Sequence, residues 1–303
     1  MSSDAQNRRI GLAGANGFIG SAILRHLRGV GLSPRTLCGP EIPEANCNDY
    51  PSCDLTDTER LARWVDGLEV VIHAAGPPSV RQSFEMPEEY VRVHVQGTTA
   101  LLQACRIAQV KKIVYLSSAE VYGRPATNPV AETHHLQPRS PYAAAKIAAE
   151  KMIEAYAESF GLSAIVLRPF SIYGPKPSSE SLFGTILSMA QQGCIRLHDL
   201  RPVRDYCYID DMAVAVSRAC SLPNDGLKFF NIGTGKGTSV AEFTQCALHA
   251  LGLNLPVIEE RSRSRHQSEI FELVADATAA WSILGWTTKI DLPDGLRRAV
   301  GAS

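Results

Sequence analysis

Three glycines set between two opposed patterns constrain this 303-residue chain more than any other feature. Gly14-Ala-Asn-Gly17-Phe-Ile-Gly20 follows an apolar run at 9–13 and opens a helical pattern at 18–28. A strand that turns at once into a helix needs glycine at the tight turn and wherever the two backbones meet, and the helix start then presents amides to an anion. The spacing alone also suits a purely structural turn. The strand before and the helix after are the context in which it binds a pyrophosphate. The expected cradle is Gly14, Asn16, Gly17, Phe18, Ile19 and Gly20.

Beyond the turn, β-branched runs at 35–38, 70–74, 112–117 and 163–168 alternate with helical patterns at 57–68, 90–108 and 141–160. That rhythm predicts an α/β fold, a Rossmann-type doubly wound parallel sheet covered on both faces. The helix at 57–68 is expected to open on a capping box, Thr56-x-x-Glu59, and Ser239-x-x-Glu242 repeats the device. After Pro169 the pattern turns irregular: a Pro/Ser-rich stretch at 174–181, a helix to about 192, short strands near Ile195 and Tyr206, one more strand at 228–232 and a helix to 251. This reads as a smaller C-terminal substrate-binding lobe. The expected partition is 1–170 with 204–235 for the dinucleotide-binding domain, and 171–203 with 236–303 for the lobe.

Composition excludes several function classes. Lys and Arg number 30 against 31 Asp and Glu, for a net charge of −1, which argues against broad capture of nucleic acid. Apolar stretches such as 70–76 fall far short of the ~20 residues a bilayer requires. The N-terminus carries no apolar signal core, so a cytoplasmic place is expected. The 8 cysteines are scattered without a Cys-x-x-Cys pair, so free thiols are expected, with no disulfide framework and no metal site.

Three further elements carry chemistry. The tip of the second strand, Cys38-Gly39-Pro40, offers neither an acid for a ribose 2′-hydroxyl nor an Arg for a 2′-phosphate, so NAD and NADP are not separated there. Asp54-Leu55 could accept from an adenine amino group, or simply precede a helix cap. Tyr142 and Lys146 stand four residues apart at the start of a long helix, on one face. An ammonium beside a phenol favours phenolate and lowers its pKa toward what a general base needs. Ser117-Ser118 ends the central strand facing the same crevice.

Together these residues resemble an extended short-chain dehydrogenase/reductase of the nucleotide-sugar epimerase/dehydratase group. The likeness covers nearly the whole chain: the glycine triplet, Asp54-Leu-Thr-Asp, Val71-Ile-His-Ala-Ala75, Gly97-Thr-x-x-Leu-Leu, Leu116-Ser-Ser-Ala-Glu-Val-Tyr-Gly123 and Ser140-Pro-Tyr142-x-x-x-Lys146. It continues through Arg168-Pro-Phe-Ser-Ile-Tyr-Gly-Pro175, Arg204-Asp-Tyr-x-Tyr-Ile-Asp-Asp211, Asn231-Ile-Gly-Thr-Gly235 and Leu284-Gly-Trp286.

The resemblance implies that Tyr142 exchanges the sugar hydroxyl proton, that Lys146 holds the nicotinamide ribose and that Ser118 bonds the reacting oxygen. Ala74, Ala75, Gly76, Ser117 and Pro169 would line the cofactor slot, with Ser79, Ser171, Arg204 and Arg265 toward the substrate. Arg204 suits a diphosphate, its alternative being a surface ion pair with Asp205. Two positions depart from the group's habit, with His94 and Ser171 standing where relatives commonly carry Asn. The implied activity is NAD-dependent modification of a nucleoside-diphosphate sugar through a 4-keto intermediate, above all 4-epimerisation, by a homodimer. The alternatives are an NADPH-dependent 4-ketoreductase, and a dehydratase or decarboxylase using Glu120 as an extra catalytic base.

Overall fold

The computed structural model describes residues 9–39, 52–260 and 270–301. Five parallel strands, β1 (Ile10–Ala13), β2 (Arg35–Leu37), β3 (Val70–His73), β4 (Lys112–Leu116) and β5 (Ser163–Pro169), form one sheet with an edge strand at Leu227–Ile232. Its order is edge strand, β5, β4, β3, β1, β2, and every pairing is parallel. The chain leaves β1 for β2 on one side and returns to β3 on the other. The crevice at the carboxyl ends of β1 and β3 is therefore the switch point at which open α/β sheets bind ligands.

The strands are apolar along their whole length because both faces are covered. On one face Leu12 and Ile72 pack with Ile23, Leu27, Met212 and Val216 from the helices Phe18–Gly29 and Ile209–Ser221. On the other, Val71 and Ile113 pack with Leu61, Trp64, Leu101, Cys105 and Ile153 from the helices Thr58–Val65, Thr98–Ile107 and Pro141–Phe160. The second half adds smaller sheets, pairing Ser171–Tyr173 with Tyr206–Tyr208, Ile195–Leu197 with Val257–Glu259, and Val203–Arg204 with Thr238–Ser239 and Glu272–Leu273.

Two local expectations are corrected. The segment expected as one helix at 90–108 is a short helix Pro87–Tyr90, a π-helical turn Val91–Gly97 and the helix Thr98–Ile107. The wider turn re-aims its side chains: His94 reaches the Pro77 carbonyl, and Gly97 lies so close to Leu55 that a Cβ there would stand 2.7 Å from the leucine Cβ. The cap of the helix Thr58–Val65 is Asp57, whose carboxylate accepts from the Arg60 amide, while the Thr56 hydroxyl donates to Asp54. The box at Ser239 and Glu242 forms with both halves in place. Among the described residues no helix is long and apolar enough to cross a membrane, no cluster of potential metal ligands occurs, and the seven cysteines form no disulfide.

Candidate active site

The glycine turn is closed so tightly that side chains are excluded. Gly14 has φ of +85°, and a Cβ on it would lie 2.7 Å from the Ala74 carbonyl; one on Gly20 would lie 1.9 Å from Gly14 O. The helix that follows starts at Phe18 from Gly17 with no side-chain cap, which leaves its first amides to an outside acceptor such as an anion. Asn16 is exposed at the loop and accepts from the Cys38 thiol at the tip of β2. The wall opposite is Ala74, Ala75 and Gly76, which continue β3.

At the far side of the crevice stands Asp54, with Leu55 buried beside it. Asp54 Oδ1 accepts from the Thr56 amide at 2.9 Å and the Thr56 hydroxyl at 2.8 Å, and Oδ2 accepts from Arg92 Nη1 at 2.6 Å. Partial burial pushes its carboxyl up, but these hydrogen bonds outweigh that and hold it below the usual range.

The other end is dry. Ser140 caps the helix Pro141–Phe160 and Pro141 occupies its first turn, which sets Tyr142 and Lys146 over the ends of β4 and β5. Tyr142 is 7% exposed and Lys146 6%. Lys146 Nζ donates to the Leu116 carbonyl at 2.8 Å and lies 5.9 Å from the Tyr142 ring centroid. The Ser118 hydroxyl acts to hold the phenol pKa down, and its oxygen accepts from the Glu120 amide. Ser117 donates to Glu150, one turn below Lys146, and Glu150 is itself paired with the buried Arg168 through Oε1 at 3.1 Å and Oε2 at 2.7 Å. Pro169 is buried where β5 ends.

Burial dictates the protonation states here. It lowers Lys146 to about 7, with Glu150 opposing, and it raises the Tyr142 phenol, with the Ser118 hydrogen bond opposing and Glu120 and Tyr90 adding to the rise. The expectation that Lys146 by itself brings the phenol toward neutrality is thus corrected. Desolvation penalises phenolate and ammonium alike, so the pair rests near neutrality of charge. His94 lies against Tyr142 with ring centroids 5.6 Å apart and is lowered by burial to about 2, while His73 is lowered to about 3. His73 Nδ1, His94 Nδ1 and the Tyr115 hydroxyl are buried without a partner. Uncapped amides at one point of the crevice, a cradle no Cβ can enter and orphaned polar atoms beside Lys146 fit a dinucleotide laid from Asp54 to Tyr142.

Residues 10–233 match the model of the NAD dependent epimerase/dehydratase family. The chain belongs to that family. It is 32% identical over 311 residues to the UDP-glucose 4-epimerase of Mycolicibacterium smegmatis, covering 95% of this chain and 96% of that one. Among solved structures it superposes on MoeE5 in complex with UDP-glucuronic acid and NAD with a TM-score of 0.88 at 29% identity, covering 97% and 98% of the two chains. It superposes equally on the UDP-glucose 4-epimerase of Thermotoga maritima with UDP-glucose, TM-score 0.88 at 27% identity and the same coverage of 97% and 98%. The fold is that of this family, the chain is an enzyme of it, and its cofactor is NAD.

For an epimerase/dehydratase-family enzyme the substrate side is the less uniform. Arg204 is half-buried and its guanidinium donates to the carbonyls of Val203, Ile270 and Phe271. The alternative ion pair with Asp205 is not formed. Asp205 is fully buried and accepts instead from Thr234, Gly235 and Ala275, pinning the Gly-Thr-Gly turn to the strand Glu272–Leu273 region. Glu120 is half-buried, its carboxyl raised by burial against the opposing charge of Arg204. The Ser79 hydroxyl caps the helix Val80–Glu85 and donates to Glu180, joining the first half of the chain to the segment after Pro175. Ser171 opens the short strand beside Tyr206. Arg265 lies outside the described residues. The sequence motifs did not single out Arg92, Glu89, Glu150 or Arg168 as site-forming groups.

Proposed function

We propose that this enzyme inverts C4 of a uridine-diphosphate hexose through a 4-keto sugar, without net oxidation. The reading is carried by the Ser118, Tyr142 and Lys146 arrangement standing beside Ala119. The resemblance implies that relatives eliminating water across C5 and C6 carry an acid at that position for the leaving hydroxyl, and alanine donates nothing. When bound, NAD supplies the hydride acceptor and a positive charge beside the phenol. With that charge and Lys146 favouring the phenolate, Tyr142 Oη would take the proton from the sugar O4 and return it, Ser118 would fix that oxygen, and Lys146 would hold the ribose near the Leu116 carbonyl. Asp54 takes the adenine end, and Arg204 the diphosphate. The half-buried, raised carboxyl of Glu120 supports a second reading in which it removes a C5 proton.

Incubation with UDP-glucose and with UDP-galactose, followed by NMR, separates the two. Interconversion at C4 with no change in mass is expected, and loss of the C6 hydroxyl at enzymatic rates overturns the proposal.

The same reading divides the chain into a dinucleotide-binding domain, 1–170 with 204–235, and a substrate lobe, 171–203 with 236–303. It places the enzyme in the cytoplasm as a homodimer. Val91, Ile107 and Phe160, on the segments Val91–Gly97, Thr98–Ile107 and Pro141–Phe160, are 48%, 67% and 53% exposed, apolar side chains that a second copy would cover. Light scattering at micromolar concentration should return twice the 32.9 kDa chain mass, and a stable monomer refutes the dimer.

A further inference from the structure

The π-helical turn Val91–Gly97 touches the candidate dinucleotide site at both ends. His94 from this turn seats against Gly76, where a Cβ would stand 2.4 Å from its ring, and against Tyr142. Gly97 from the same turn takes the Leu55 side chain. Arg92 grips Asp54 with Nη1 and holds Glu89 in a two-pronged fork, Nε at 2.7 Å and Nη2 at 2.6 Å. A carboxylate has about four acceptor positions. The two bonds from Thr56 and the one from Arg92 occupy three, which leaves a single lone pair, on Oδ2, in a fixed direction.

We infer that Arg92 is a positioning residue for the dinucleotide. It aims the remaining lone pair of Asp54 at the exocyclic amino group of adenine, and Glu89 keeps its guanidinium from rotating away. A planar fork held on two sides fixes direction in a way that a lysine ammonium does not. The Arg92 and Glu89 side chains are 36% and 40% exposed, so the pair adds little to folding and its worth lies in orientation.

This rests on the reading of Asp54 as the adenine acceptor, and the test separates the two. Full-length protein freed of nucleotide is titrated with NAD, with nicotinamide hypoxanthine dinucleotide, which lacks the amino donor, and with UDP; circular dichroism checks the fold. Arg92→Ala should weaken NAD about tenfold, the scale of one lost charge-assisted hydrogen bond, and shrink the preference for NAD over the hypoxanthine analogue, with UDP affinity unchanged. Arg92→Lys should fall between. Should Arg92→Ala fail to fold, Glu89→Gln, which leaves the Asp54 contact but loosens the fork, must show a smaller loss in the same direction. NAD affinity within twofold of wild type in Arg92→Ala overturns the inference, as does an unchanged affinity in Glu89→Gln where that variant stands in. Asp54→Ala with unchanged NAD affinity overturns the reading beneath it; loss in Asp54→Ala alone overturns only the role of Arg92.

Discussion

At the adenine end of the cleft the side chains of Asp54, Arg92 and Glu89 are 32%, 36% and 40% exposed, whereas at the opposite end Tyr142, Lys146, His73 and His94 are each buried. The directions in which the pKa values of these groups shift follow from that contrast. In the wet region the hydrogen bonds from Thr56, with Arg92 adding, hold the Asp54 carboxyl low, and those from Arg92 hold Glu89 low, so charge is kept. In the dry region burial lowers Lys146 and both histidines and raises Tyr142, so charge is shed. A cofactor can thus be anchored by ions where water remains and worked on by near-neutral groups where water is excluded, and proton transfer belongs at the second end.

The most severe way to break the comparison is to remove the proton acceptor at the dry end. Tyr142→Phe should lower turnover by about 10²–10⁴-fold while NAD and UDP affinities stay within about twofold, because the ring and its packing survive. Steady-state kinetics with parallel titrations check this, and a variant keeping more than about a tenth of wild-type turnover would place the chemistry elsewhere.

Next in size is a contrast between ion pairs. Glu150→Ala strands the Arg168 charge in the core beneath the dry end, where side chains are 4% and 2% exposed, and should cost about 3–5 kcal/mol of stability. Arg92→Ala breaks a pair in the wet region and should cost no more than about 1 kcal/mol. Denaturant unfolding of the two variants beside wild type measures both, and equal losses would erase the distinction between the ends.

What was legible in the sequence follows the same physical line. The glycine turn, the Tyr142 and Lys146 face and the Ser239 box are local, fixed by residues within a few positions of one another, and the four β-branched runs with the apolar run at 9–13 announce a sheet buried on both sides. Pairings across long separations were not legible. Arg92 reaches Asp54 across 38 positions and Arg168 reaches Tyr122 across 46, and no periodicity marks either. The π-helical turn was missed because 90–108 carries an ordinary helical pattern; tertiary contacts of His94 and Gly97 widen it. The pKa of Tyr142 was misjudged because a neighbour's charge is visible in a sequence and burial is not.

The smallest effect concerns His94 and isolates the dry end by its protons. The unfolded histidine titrates near 6.5 and the folded one at about 2, so between those values the unfolded chain binds the extra proton and stability falls as pH falls. From pH 7.5 to 5.5 that amounts to about 1.4 kcal/mol. Burial raises the carboxyls of Glu120, Asp205 and Asp211, which act in the opposite sense, so the wild-type slope alone mixes them. Those groups are common to wild type and His94→Asn, and His73 is too. The difference between the two proteins therefore carries the His94 term by itself. Asparagine takes up no proton, so whatever the substitution costs at pH 7.5, the variant should gain about 1.4 kcal/mol on wild type by pH 5.5, read from urea unfolding at both values. An offset that stays constant with pH would mean that His94 is protonated as readily in the folded protein as in the unfolded chain, and that the end of the cleft holding Tyr142 is open to water.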